Sequence, residues 1–290
     1  MGEVVRLLID LASLGGLYAF LAAGYVVAYR TSGVVNFAYP ACVLVGAYLT
    51  ASLYELTDSW PLALAAGLGL GALAGLGFYL GLLRPLTGQP RTSAVMMTVG
   101  LLFLIEALAR LNWRGATVFM PLPGAGTGWT VSGQLVRAHD LALAAAPVGL
   151  ALLLTLFYRL TRLGISMRAV AENPVLAARR GVDIELALGL SWVVATAVAV
   201  LAGVLAGAKG PVNPGLVQVS IKAFAVALVG GLDSVAGLVP GALVVAGAEV
   251  LAVRYLGPHL AEAVPFAVLL GVLTLRPWGL CGSREEIYRV

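Results

Sequence analysis

Apolar residues run along this chain in nine long blocks, at about 7–29, 35–54, 60–83, 93–111, 139–159, 186–209, 217–233, 235–256 and 261–275. Inside the blocks apolar and polar positions do not alternate, which sets aside the ~10-residue alternating segments of a membrane β-barrel. Several blocks reach the length that crosses a bilayer core, about 20 helical residues. The pattern predicts an all-α polytopic membrane protein with about nine (eight to ten) transmembrane segments. The block 217–233 is short and runs into Gly230-Gly231-Leu232-Asp233-Ser234, so it reads as a broken or partial helix. The first block is too long for the apolar region of a signal peptide and reads as a retained helix. The longest polar connections, 112–138 and 160–185, leave no room for a soluble domain, so residues 1–290 read as one transmembrane domain. Pro and Gly crowd 121–128, the mark of a loop with turns.

Composition agrees with this pattern. Charged residues make up 11% of the chain, against roughly 25% in soluble domains. The net charge of +4 belongs to a membrane topology rather than to nucleic acid, because Lys and Arg gather on the cytoplasmic side. With the N-terminus outside and the C-terminus inside, the inner loops collect Arg30, Arg84, Arg91, Arg159, Arg162, Arg168, Arg179, Arg180, Arg276, Arg284 and Arg289. Only Arg6, Arg110, Arg114, Arg137 and Arg254 fall outside. Trp60, Trp113 and Trp129 then lie at or beyond the outer interface. Glycines spaced by four, at Gly67, Gly71 and Gly75 or at Gly237 and Gly241, allow helix backbones to approach closely, within the bundle or at a dimer seam.

The connection 160–185 is the more charged of the two long connections. Asn173 is a strong N-cap, Pro174 suits the first helical position, Arg179 and Arg180 complement the C-terminal dipole, and Gly181 suits a left-handed closing residue. These signals predict a two-turn helix, which is too short to be stable alone in water. It needs a surface, either the inner lipid interface, against which Val175 and Leu176 would rest, or a groove in a cytoplasmic partner, which the small Ala177 and Ala178 would let approach.

The stretch Arg168-Ala169-Val170-Ala171, Asn173-Pro174, Ala177-Ala178 and Gly181-Val182 resembles the cytoplasmic coupling loop of the bacterial branched-chain amino acid ABC permeases of the LivH type. The likeness extends along nearly the whole chain. It includes Gly15-Gly16-Leu17-Tyr18-Ala19, Gly33-Val34-Val35-Asn36-Phe37-Ala38, Lys222-Ala223-Phe224 with Gly230-Gly231-Leu232, and Arg276-Pro277-Trp278-Gly279-Leu280. The chain departs from the family pattern at Tyr39-Pro40, where His-Gly is usual, and at Val175-Leu176.

The resemblance implies a cytoplasmic coupling helix lodged in an ATP-hydrolysing subunit. It gives the coupling role to Arg168, Glu172, Asn173, Pro174, Ala177, Ala178, Arg180 and Gly181. It further implies ABC ATPase subunits, a homologous second permease subunit and an extracytoplasmic substrate-binding protein as partners, in a bacterial cytoplasmic membrane. The transported class would be branched-chain amino acids, moved by ATP-driven alternating access. A related permease for urea or sugars and an ion-driven secondary transporter are the alternatives. The phosphate-loop pattern of glycine, four residues, glycine, lysine and serine or threonine is absent from the sequence, so the work must come from a partner.

Other chemistry is sparse. Charges in or near membrane segments are costly and often functional. Glu106 reads either as part of a substrate path or as a partner of Arg110 one turn on. Lys209 and Lys222 read as residues near segment ends that reach the interface. Asn36 and Asn213 sit in similar words, Gly33-Val34-Val35-Asn36 and Gly210-Pro211-Val212-Asn213. They read as ordinary turns or as the paired helix breaks of an inverted-repeat transporter. Asn36, Glu106 and Asn213 are therefore the candidate path residues. His139 and His259 lack ligand neighbours at zinc spacing, Cys42 reads as a small buried apolar residue, and no metal, cofactor or catalytic constellation is expected.

Overall fold

A computed structural model describes residues 2–86, 88–120, 127–131 and 134–283. All nine apolar blocks coincide with helices. In chain order these are α1 (Gly2–Ser32), α2 (Tyr39–Thr57), α3 (Trp60–Phe78), α4 (Arg91–Trp113), α5 (Ala138–Leu160), α6 (Arg162–Glu172), α7 (Pro174–Arg179), α8 (Ile184–Lys209), α9 (Leu216–Gly230), α10 (Leu238–Tyr255), α11 (Pro258–Ala261) and α12 (Val264–Leu275). Seven helical stretches are long and apolar enough to cross a membrane. Of the two remaining blocks, α2 spans 19 residues, whereas α9 has 15, roughly 22 Å, and is shorter than a hydrocarbon core. The helix over 35–54 starts later than its apolar pattern, at Tyr39, because Asn36 opens a turn and Pro40 suits a helix start.

A small antiparallel hairpin, β1 (Gly128–Val131) with β2 (Gln134–Arg137), precedes α5 and qualifies the all-helical expectation. A single bridge joins Val118 to Val212. The loop expected over 121–128 lies outside the described residues as far as 126, as do Arg284 and Arg289.

The helices pack as two similar units of opposite sense. α1 and α8 lie against each other at the centre. α10 and α9 pack on α1 as α3 and α2 pack on α8, while α3 and α4 flank α2 as α10 and α12 flank α9. α1 and α8 run antiparallel: Lys209 at the end of α8 bonds Ser13 near the start of α1, and Ile184 at the start of α8 lines one cavity with Tyr29 near the end of α1. That order of neighbours is the one an inverted repeat would give, with α5 to α7 inserted between the units.

The glycine stripes serve this packing. Gly67, Gly71 and Gly75 face Thr50, Val200 and Thr196 on α2 and α8, and Gly237 and Gly241 lie against Gly230 of α9. A Cβ on Gly46 would stand 2.8 Å from the Val200 backbone and one on Gly203 would stand 2.5 Å from the Val43 carbonyl, so α2 and α8 touch backbone to backbone.

Candidate functional site

The end of the bundle that carries α6 and α7 also carries most of the described arginines. Arg30, Arg91, Arg159 and Arg168 line cavities there, and Arg84 pairs with Glu185 of α8 at 2.8 Å. At the opposite end lie Arg6, Arg254 and Lys209 with Glu3 and Asp10, around a cavity of about 620 Å³. Trp60 stacks on Tyr54 and Trp113 on Tyr48 near that second end, and Trp129 on the hairpin is exposed.

Between α5 and α8 the chain makes two helices, not one. Thr161 caps α6 by accepting from the Gly164 N–H at 3.0 Å, and Gly164, Met167 and Val170 form its buried stripe. A Cβ on Gly164 would overlap the Phe157 carbonyl, so α6 folds tightly back on α5. Asn173 then caps α7, its Oδ1 accepting from the Leu176 N–H at 2.9 Å, and Gly181 closes the excursion at φ +79°. Asp183 caps α8 in the same way, through the Leu186 N–H at 3.0 Å.

The residues assigned to coupling do not all face one way. Glu172, Asn173, Pro174, Ala178, Arg180 and Gly181 are exposed. Ala177 is buried, and its carbonyl accepts the Val182 N–H, so it holds α7 down rather than presenting it. Arg168 turns inward, lining the cavities under α1. The helix α6 went unseen in the sequence because its stripe is one residue wide and interrupted by Ser166 and Arg168; the Thr161 cap was its available signal.

The three candidate path residues are not brought together. Asn36 is buried, and its Oδ1 accepts the Ala38 N–H at 3.0 Å while its carbonyl accepts the Tyr39 N–H. Asn213 does the same with the Gly215 N–H at 2.8 Å and the Leu216 N–H. Each Asn opens the second helix of its unit after a six-residue link, 33–38 or 210–215. The two turns share this hydrogen-bond pattern, at opposite ends of the bundle. Glu106 forms its i,i+4 pair with Arg110 at 2.8 Å on an outer face of α4.

The polar centre of the bundle lies elsewhere. Lys222 does not reach an interface: it sits mid-way along α9, and its Nζ lies 2.9 Å from Glu249 Oε1 of α10. Tyr18 of α1 donates to the other oxygen of Glu249 at 2.6 Å. These three residues are far apart in sequence, and only the packing of α1, α9 and α10 joins them. Beside them, Tyr25, Phe37, Tyr39 and Phe224 form a run of aromatic contacts linking α1, the 33–38 turn, α2 and α9. Cys42 is half-buried, and among the described residues no group of His, Cys, Asp and Glu could hold a metal ion.

Residues 7–273 match the family described as branched-chain amino acid transport system / permease component. The chain is 29% identical over 294 residues to the high-affinity branched-chain amino acid transport system permease protein LivH of Salmonella typhimurium, covering 96% of this chain and 95% of that protein. It is 28% identical over 299 residues to BraD of Pseudomonas aeruginosa, which has the same description, covering 98% and 97%. A galactofuranose transporter permease protein of Escherichia coli, YtfT, is 27% identical over 92% of this chain and 79% of its own length. No solved structure matches the chain.

Proposed function

We infer the function from one premise: the chain belongs to the branched-chain amino acid transport system permease component family. It is a multi-pass membrane transport permease component, not a catalytic enzyme. We propose that it is one membrane subunit of a bacterial ABC importer. In this reading it crosses the cytoplasmic membrane about nine times (eight to ten), with its N-terminus outside and its C-terminus inside. It moves branched-chain amino acids by alternating access, working with a homologous second permease subunit, cytoplasmic ATPases and an external binding protein.

The observation that carries this reading is α7. It is exposed, capped at its start by Asn173 and closed by Gly181. It stands at the arginine-rich end, which the positive-inside rule places in the cytosol. Its root is stiff: Ala177 is buried, and α6 packs on α1, α5 and α8. Force applied by an ATPase to α7 therefore reaches α1 and α8, the two helices on which the inverted units meet. Closure of one end with opening of the other is the motion such a pair of units supports. The charged cavity at the opposite end is where a binding protein would deliver substrate.

The test is uptake by proteoliposomes holding the chain with its co-purifying subunits. ATP-dependent accumulation of leucine, isoleucine or valine is expected, and none without the ATPase subunits. Accumulation by this chain alone on an ion gradient would replace the reading with a secondary carrier. Accumulation of a sugar but no aliphatic amino acid would move the substrate class toward that in the name of the galactofuranose relative.

A further inference from the structure

We propose that the arginine-rich end contains a binding site for a phosphate monoester, set beneath the C-terminus of α1. Two adjoining cavities of about 560 and 370 Å³ share Arg30, Arg168, Asp233 and Ser283. Arg91 of α4 lines the first and Arg159 of α5 the second. Arg84, Arg110 and Arg254 pair with carboxylates, and the described arginines elsewhere without an ion pair are exposed. The four that line the cavities have no carboxylate partner among the described residues.

Among the described residues two carboxylates line the cavities, against four guanidinium groups. Asp233 accepts the backbone N–H of Ser283 at 2.8 Å and also the Ser283 hydroxyl. Glu172, at the end of α6, is exposed at the rim of the first cavity and forms no ion pair among the described residues. Among the described lining residues two positive charges are in excess. Arg30 is held in place by the Tyr158 ring, its guanidinium carbon 4.8 Å from the ring centroid, a geometry that favours Arg over Lys.

The second observation concerns donors. Thr31 and Tyr158 are 5% and 2% exposed, and their hydroxyls face one another as each other's nearest polar partner, with no further partner among the described residues. Arg168 Nε is also buried without a partner among the described residues. All three residues line the cavities. Buried polar atoms are normally satisfied; the hydroxyl pair shares one O–H between its members, which leaves the other O–H and the Arg168 Nε–H to donate. Unused donors beside unpaired guanidinium groups call for a ligand that only accepts. A carboxylate brings one charge and two oxygens, whereas a phosphate monoester brings close to two charges and three terminal oxygens, which suits the excess here. The cavities exceed a bare phosphate, leaving room for the organic part of a soluble phosphate ester or for the glycerol end of phosphatidic acid.

The test uses the full-length chain in nanodiscs and reads the thermal unfolding midpoint, so it does not depend on transport or on the importer reading. In one arm, phosphatidylcholine nanodiscs are titrated with inorganic phosphate, with sodium chloride at equal ionic strength as control. In the other, phosphate is omitted and the nanodiscs are doped with phosphatidic acid. A saturable rise in the first arm identifies a soluble anion, and a rise confined to the second identifies a lipid headgroup. Arg91→Gln and Arg159→Gln change exposed side chains, and each is expected to weaken the effect about tenfold or more. Arg30→Gln should do the same if it folds. No saturable rise in either arm, a rise matched by chloride, or one that survives both exposed substitutions overturns the proposal.

Discussion

Single atoms decide how closely these helices meet. A Cβ on Gly230 would lie 2.3 Å from the Gly237 carbonyl, while one on Gly149 of α5 meets nothing within 4 Å. Gly230→Ala is therefore expected to destabilise by about 1–3 kcal/mol or more through overpacking. Gly149→Ala is expected to be neutral or to stabilise by up to about 1 kcal/mol. Thermal unfolding in detergent, followed by tryptophan fluorescence, reads both. Glu249 holds Lys222 and Tyr18 together, and removing one partner of a buried ion pair strands the other. Glu249→Ala should cost about 3–5 kcal/mol, whereas Lys222→Met with Glu249→Leu should cost much less. Equal losses in the single and double variants would mean that the pair contributes little beyond packing. Composition made these charges conspicuous, yet nothing along the chain joined Tyr18 to Glu249.

At the level of elements, α7 was legible because every signal for it is local. An Asn side chain satisfies the amides two to three residues ahead, and Gly181 adopts a positive φ at little cost. What the local signals left open was which face is presented. The structure separates neighbours: Ala177 points into the bundle and Ala178 away from it. Ala178→Arg is thus expected to leave folding intact and to abolish substrate-stimulated ATPase activity in the assembled complex. Ala177→Arg is expected to lower the unfolding midpoint as well. If Ala178→Arg complexes keep full stimulated activity, α7 is not the lever. The helix α6 and the exact start of α2 were harder to see, since a narrow apolar stripe and an Asx turn inside an apolar run both look like continuous membrane helix until the chain is folded.

For the whole molecule, the arrangement makes a claim about sidedness. With Cys281 replaced by Ser to remove an exposed thiol, Arg179→Cys should react with a membrane-impermeant maleimide only in inside-out vesicles, and Arg254→Cys only in intact cells. The reverse labelling would invert the topology and remove α7 from any cytosolic ATPase. The apolar blocks and the arginine bias along the chain determined the fold class and the expected orientation, because burial in lipid and charge retention act on each segment by itself. The capped α7 followed from sequence for the same reason: its hydrogen bonds close within a few residues. Only the tertiary structure decided that α1 and α8 form a common axis for two inverted units, that Lys222 turns inward to Glu249, and that Arg168 lines an inner cavity instead of standing with α7. Those outcomes depend on which helices lie side by side, and in a uniformly apolar chain that choice is made by small-residue contacts and buried polar pairs between segments far apart in sequence.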